Sequence, residues 1–259
     1  MLHGQPTWSY LYRHFIRALA DAGFRAVAHD QMGFGRSEKP PAVEEYTVQR
    51  HAAHFTELMR ELTLDGVTLV VQDWGGPVGL AWGVENPERV RRLVLLNTWP
   101  GSDNFPDYPD GPPAFFRLLR GGRSGELLVR RLQVFTRVFL FRGGTRALDA
   151  AARRAYLAPH AAPESRSGVV RYPRLIPWDE DNPTLPLGRR NEEGLERLAE
   201  KPVLILWPTK DRAFRRRTLE YWKRKFSAAE VHELEAGHYL QEDAHERAVP
   251  LLLDFLRRT

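Results

Sequence analysis

The stretch Leu69-Val70-Val71-Gln72-Asp73-Trp74-Gly75-Gly76 constrains the fold more than any other part of the chain. Residues 67–71 form an unbroken run of Val, Thr and Leu, which suits a strand buried on both faces. That run meets a turn without a spacer, and two glycines just beyond the turn let a following helix pack closely. This is the architecture of a nucleophile elbow, which holds a reactive side chain on a strained strand-to-helix turn. The elbow residue is Asp73, and Val71 stands where a glycine usually precedes it. A carboxylate at a strand end also suits the N-cap of the next helix. Alone, the segment leaves both roles open.

The remaining apolar pattern builds a sheet around this strand. Further buried strands are expected at 24–29, 90–96, 203–207 and 229–234, with helices at 11–22, 43–62, 79–84, 216–225 and 244–256. Gly33, Gly35 and Pro40 mark a loop. Alternating strands and helices imply a mainly parallel sheet flanked by helices on both faces, an α/β fold. Between the strands near 97 and 202 the texture changes to Pro, Gly and Arg, with helical pieces at 114–119, 125–139 and 148–156. The expected organisation is a core of residues 1–97 and 201–259 with a helical cap inserted at 98–200.

Composition removes several classes of function. The chain has 259 residues and no cysteine, which excludes disulfides, Cys-ligated zinc, iron–sulfur clusters and a thiol nucleophile. No run of about 18 apolar residues offers a membrane span. Residues 1–12 show no signal-peptide pattern, so a cytoplasmic location is expected. Lys+Arg number 38 against 33 for Asp+Glu, a net charge of +5. The arginines read as scattered among acids, and the densest group, Arg212 with Arg215, Arg216 and Arg217, follows Asp211. No continuous basic stripe is evident, so neither nucleic acid nor a membrane is an expected partner.

Two further segments complete a constellation. Leu206-Trp207-Pro208-Thr209-Lys210-Asp211 puts a carboxylate just past another predicted strand, and Ala236-Gly237-His238-Tyr239 puts a histidine in the loop after the last strand. The order nucleophile, acid, histidine at three strand ends is that of the α/β-hydrolase fold.

With these residues in place, the chain resembles the haloalkane dehalogenases of the α/β-hydrolase superfamily. His3-Gly4-Gln5-Pro6-Thr7-Trp8-Ser9 is similar to the family's oxyanion loop, Asp30 with Gly33-Phe34-Gly35-Arg36-Ser37 to the loop that follows, and Val71-Gln72-Asp73-Trp74-Gly75-Gly76 to the nucleophile segment. Asp211-Arg212-Ala213-Phe214 and Gly237-His238-Tyr239-Leu240-Gln241-Glu242-Asp243 match the acid and histidine segments. The resemblance implies that Asp73 attacks a saturated carbon bearing halogen, and that His238, held by Asp211, activates water to cleave the alkyl ester. It assigns the oxyanion hole to the backbone N–H groups of Gln5 and Trp74, and halide binding to the Trp74 indole. Water and the three side chains suffice, so no metal or organic cofactor is expected. The partners implied are a halogenated substrate, water and halide ion.

The resemblance has two departures. The family's second halide donor is an oxyanion-loop Asn or a cap Trp; here Gln5 holds the first place, and 139–144 carry no Trp, leaving Trp178 and Trp99 nearby. An epoxide hydrolase using the same triad is the alternative, with Tyr156 and Tyr172 as acids. The second departure is at the start, where three strands that precede the oxyanion loop in relatives are missing. One of them would lie between strands 24–29 and 67–71. An inactive fragment or interaction module is therefore a further alternative, and the open sheet edge favours self-association.

Overall fold

The computed structural model describes residues 1–102 and 113–259. The first helix, α1 (Arg13–Asp21), follows a 3-10 turn and leads through a long loop to α2 (Val48–Glu61). Strand β1 (Val67–Asp73), α3 (Gly75–Glu85) and β2 (Val90–Thr98) come next. Among the described residues, six α-helices then separate β2 from the following strand: α4 (Ala114–Arg120), α5 (Gly122–Arg130), α6 (Val134–Arg142), α7 (Ala150–Leu157), α8 (Ser167–Leu175) and α9 (Leu185–Gly194). The chain returns through β3 (Val203–Pro208), α10 (Arg216–Lys225) and β4 (Glu230–Leu234), and ends with α11 (Leu240–Asp243) and α12 (His245–Arg258). The 98–200 segment expected as the cap includes residues 103–112, which lie outside the described residues.

The strands form one parallel sheet in the order β1-β2-β3-β4. Val70 sits opposite Val94, Val94 opposite Leu204, and Leu204 opposite Glu230. Successive side chains in a strand point to opposite faces, and the core divides accordingly. Leu69, Val71, Leu93, Leu95, Val203 and Ile205 pack on one face with Phe55, Met59, Val78 and Trp82. Val70, Val94, Leu96, Leu204 and Leu206 pack on the other with Phe15, Leu19, Leu252 and Phe255. The inserted helices share the first of these clusters through Phe135, Val169 and Tyr172. This is the parallel, helix-flanked α/β sheet expected from the sequence.

One expected strand is not built. Residues 24–28 form no strand, and only His29 bridges to Leu2, which in turn bridges to Val71. Leu2 donates its N–H to the Val70 carbonyl at 2.8 Å and accepts from Gln72 N–H at 3.2 Å. The flanking segments do not close up. A cavity of about 370 Å³ remains between them, lined by Phe24, Val27, Leu69 and Val70. A strand needs a ladder of hydrogen bonds to a neighbour, and 24–28 has a single one, from the Met1 amino group to the Val27 carbonyl at 2.7 Å.

Other boundaries differ for local reasons. The helix expected at 43–62 starts only at Val48, where Thr47 caps it by accepting the Arg50 N–H at 3.1 Å. Asp149 caps α7 in the same way, by accepting the Ala152 N–H at 2.7 Å. The helix expected over 125–139 breaks into α5 and α6 at Gln133, whose φ of +53° is left-handed. In turn, α3 begins at Gly75, directly after the elbow, rather than at Gly79.

Candidate active site

Asp73 ends β1 with a φ of +50°, a conformation that L-residues adopt only under local constraint. Three close approaches supply that constraint. Thr98 Oγ1 donates to the Asp73 carbonyl at 2.6 Å. A Cβ on Gly76 would fall 1.8 Å from Thr98 Oγ1, and one on Gly75 would fall 2.2 Å from the Leu2 carbonyl oxygen. Glycine at these two positions lets α3 start against its neighbours, as the strand-to-helix turn requires. The Asp73 side chain does not cap α3, since Oδ1 accepts the backbone N–H of Gln5 at 2.8 Å. The backbone N–H of Trp74 also hydrogen-bonds the carboxyl group. The turn therefore has a strained strand-to-helix backbone, and the Asp73 side chain is not the cap of α3.

The imidazole stands between two carboxylates. His238 Nδ1 is 3.0 Å from Asp211 Oδ2, and Nε2 is 3.7 Å from Asp73 Oδ2. Burial depresses the imidazole's basicity, but the charges of Asp211 and Asp73 and the Asp211 hydrogen bond outweigh it, raising the pKa to about 9. Burial pushes the Asp73 carboxyl up, opposed by the facing imidazole and the two backbone N–H donors.

The structure adds residues that sequence reasoning left out. Asn97, next to the last residue of β2, donates through Nδ2 to Asp211 Oδ2 at 2.7 Å and to the His238 carbonyl at 2.9 Å. It locks the acid and histidine loops together. The Gln72 amide lies 3.2 Å from His238 Nε2. Asp243 accepts from the backbone N–H of Gly237 at 2.7 Å and from those of Thr145 and Arg146 at 2.7 and 3.0 Å, pinning the histidine loop to the inserted helices. A polar residue at the carboxyl end of a predicted strand was the available signal for Asn97.

The oxyanion-loop residues are held from behind. His3 Nε2 accepts the Gln31 N–H at 3.0 Å, and Gln31 Oε1 accepts the Tyr172 hydroxyl at 3.2 Å. The Gln5 side chain turns away from Asp73 and donates to the Val169 carbonyl at 2.8 Å. Aromatic rings close the site. The Trp74 ring meets Trp99 and Tyr172 edge-on, at 4.8 and 5.0 Å between centroids. Phe214 stacks on His238 at 6.0 Å. The Trp74 indole N–H has no hydrogen-bond partner among the described residues.

The hydroxyls of the two tyrosines considered as acids have different partners. Tyr156 donates its hydroxyl to Glu242, which also pairs with Arg13. Only Tyr172 reaches Trp74, and burial together with the Asp73 charge holds its hydroxyl well above the usual tyrosine range. Trp178 packs on Phe116 at 5.6 Å beneath the Arg120 guanidinium. Among the described residues, no group of three His, Asp or Glu side chains is arranged to hold a metal ion. None of their helices is long and apolar enough to cross a membrane.

Comparison with known proteins agrees with this geometry. The α/β-hydrolase fold family matches residues 1–245. A haloalkane dehalogenase of Mycolicibacterium paratuberculosis is 36% identical over 246 residues, covering 94% of this chain and 78% of the relative. A cis-3-alkyl-4-alkyloxetan-2-one decarboxylase of Xanthomonas campestris pv. campestris is 34% identical over 267 residues, covering 100% of this chain and 87% of the relative. The crystal structure of haloalkane dehalogenase DatA from Agrobacterium tumefaciens C58 superposes with a TM-score of 0.88 at 31% identity, covering 99% of this chain and 88% of that one. The matched family and the identity to the mycobacterial dehalogenase place this chain in the α/β-hydrolase superfamily, as a member of the haloalkane dehalogenase family.

Proposed function

We propose that the chain hydrolyses haloalkanes to alcohol and halide, with residues 98–200 acting as the cap over the site. Asp73 Oδ2 attacks the saturated carbon and displaces halide, forming an alkyl ester. His238 takes a proton from water, which attacks the ester carbonyl carbon, and Asp211 stabilises the resulting imidazolium. The N–H groups of Gln5 and Trp74 stabilise the oxyanion of that second step, and the Trp74 indole N–H donates to the departing halide. A carboxylate nucleophile suits this chemistry better than acyl transfer, because its attack on an ester would create an anhydride. The observation that carries the proposal is the imidazole held between Asp211 at 3.0 Å and Asp73 at 3.7 Å. The second distance leaves room for a hydrolytic water once Asp73 is esterified.

The test is bromide release from a bromoalkane. Asp73→Asn should abolish it, and His238→Gln should permit one halide per protein and then stall with an alkyl group on Asp73. A folded wild-type protein that releases neither bromide from a bromoalkane nor diol from an epoxide would favour the non-catalytic module.

A second reading draws on the oxetanone decarboxylase relative and on Gln5, whose side chain is occupied by Val169 and so leaves halide to one donor. In a four-membered lactone, Asp73 would attack C4 and break the C4–O bond, freeing the carboxylate. Loss of carbon dioxide then passes the C–C electron pair into an alkene as the Asp73 carboxylate departs. No water is consumed. Carbon dioxide and alkene from a cis-3,4-dialkyl-oxetan-2-one, without bromide from a bromoalkane, would select this reading.

A further inference from the structure

The helices α4 to α7 carry charge out of proportion to their length. Residues 114–157 hold ten arginines against two acids, Glu126 and Asp149, a net +8 in a chain whose total is +5. The same region holds every large apolar side chain that is exposed among the described residues: Leu118, Leu127, Leu132 and Phe141, at 50, 57, 60 and 37%. Single exposed leucines are ordinary, but their confinement to one strongly basic region is not.

The arrangement on α5 is regular. Arg123, Leu127 and Arg131 are spaced four apart and all exposed, so they form one stripe along the helix surface, with Leu132 next in the chain. Helix α5 packs against α4, where Gly125 sits so close that a Cβ would meet the Leu118 carbonyl oxygen at 2.6 Å. Arg123 and Arg131 have no ion-pair partner among the described residues, whereas Arg130 pairs with Glu126 at 3.0 Å. The stripe is therefore uncompensated positive charge with aliphatic side chains set inside it.

We propose that this face of the inserted helices docks on an anionic lipid bilayer. Arginines satisfy the headgroup charge while their stems and the leucines enter the acyl boundary. A nucleic-acid backbone would use the charge but leave Leu118, Leu127 and Leu132 with nothing to do. The same basic region reaches the candidate site, because α6 ends at Arg142 and the carbonyl of the next residue, Gly143, accepts the His238 N–H at 2.7 Å. A substrate with alkyl chains concentrates in the bilayer, so docking would bring the site to it. Vesicle binding itself does not depend on the chemistry at Asp73, and it is read without turnover.

The test is flotation of the full chain with vesicles of phosphatidylcholine alone, or with about a third phosphatidylglycerol. The expected result is binding to the anionic vesicles only, weakened by high salt. The double variant Arg123→Gln, Arg131→Gln should lower partitioning about fivefold per arginine. Leu127→Ser with Leu132→Ser should lower it on the order of tenfold at unchanged charge. Leu127→Ala serves if the serine pair fails to fold by circular dichroism, and the loss then expected is smaller but in the same direction. Equal binding to neutral vesicles, no flotation, or binding indifferent to the leucines or to the two arginines would each overturn the proposal. Loss of bromide release with vesicle binding intact would count against the dehalogenase reading alone.

Discussion

Nε2 of His238 faces Oδ2 of Asp73 across 3.7 Å, beyond a hydrogen bond but well within strong electrostatic reach in a dry site. The two groups therefore titrate as neighbours. Esterifying Asp73 removes its charge, and with it part of what holds the imidazole pKa near 9. On the proposed route, the nucleophilic step would thus prepare the base for the hydrolytic step. Asp73→Asn, a near-isostere, should lower the His238 pKa measurably by NMR titration, and Asp211→Asn should lower it further. An unchanged value in both variants would sink this coupling.

The same shift bears on stability. A raised folded-state pKa means that His238 stabilises the fold fully below its unfolded value of about 6.5, and that this contribution is lost as pH rises through about 9. Urea midpoints should fall between those limits in the wild type, and fall less in Asp73→Asn. If turnover follows the proposed route, halide release in the first cycle should be less sensitive to mild acid than ester hydrolysis is. A protonated imidazole stalls only the second step.

Gly4 leaves the Asp73 side chain no room for a neighbouring Cβ. A methyl group there would lie 2.0 Å from Asp73 Oδ1 and 2.3 Å from its Cβ. Gly4→Ala must displace the carboxylate and break the bond from Gln5 N–H. The expected outcome is a loss of turnover of a hundredfold or more, with a folded protein by circular dichroism.

Trp74→Phe separates packing from donation. Phenylalanine keeps an aromatic ring against Trp99 and Tyr172 but removes the indole N–H. Each such donor lowers the barrier by roughly 3 kcal/mol, so bromide release should fall on the order of a hundredfold. A melting temperature close to wild type would tie the loss to the missing donor.

The arrangement of Asp73, Asp211 and His238 was legible because each follows a segment read as a strand, by an apolar run in the first two cases, and such segments locate strand ends. Asn97 escaped because the apolar pattern of β2 stops at Leu96, although the strand itself continues to Thr98. The direction of the Gln5 side chain depends on Val169, far away in sequence, so no local signal carried it. The α5/α6 break rests on a left-handed glutamine, a residue type that does not announce a turn. The strand expected over 24–29 failed for a more general reason. Its residues are half-buried or exposed, and a strand also requires a neighbour to bond.

That missing neighbour gives the last prediction. Strand alternation sends the N–H and C=O groups of Thr68, Val70 and Gln72 toward the cavity side of β1, and Leu2 meets only the last two. Beyond Leu2 the edge faces a space of about 370 Å³, bordered by Phe24, Val27 and Leu69. Backbone groups there must turn to water, since leaving each one unpaired would cost about 1–3 kcal/mol. Amides of residues 25–28 and Thr68 should therefore exchange with deuterium near the unprotected rate, while those of Val94 and Leu204, in the middle of the sheet, are protected to the level of global unfolding. Equal protection at both places would mean that the sheet is continuous across this gap.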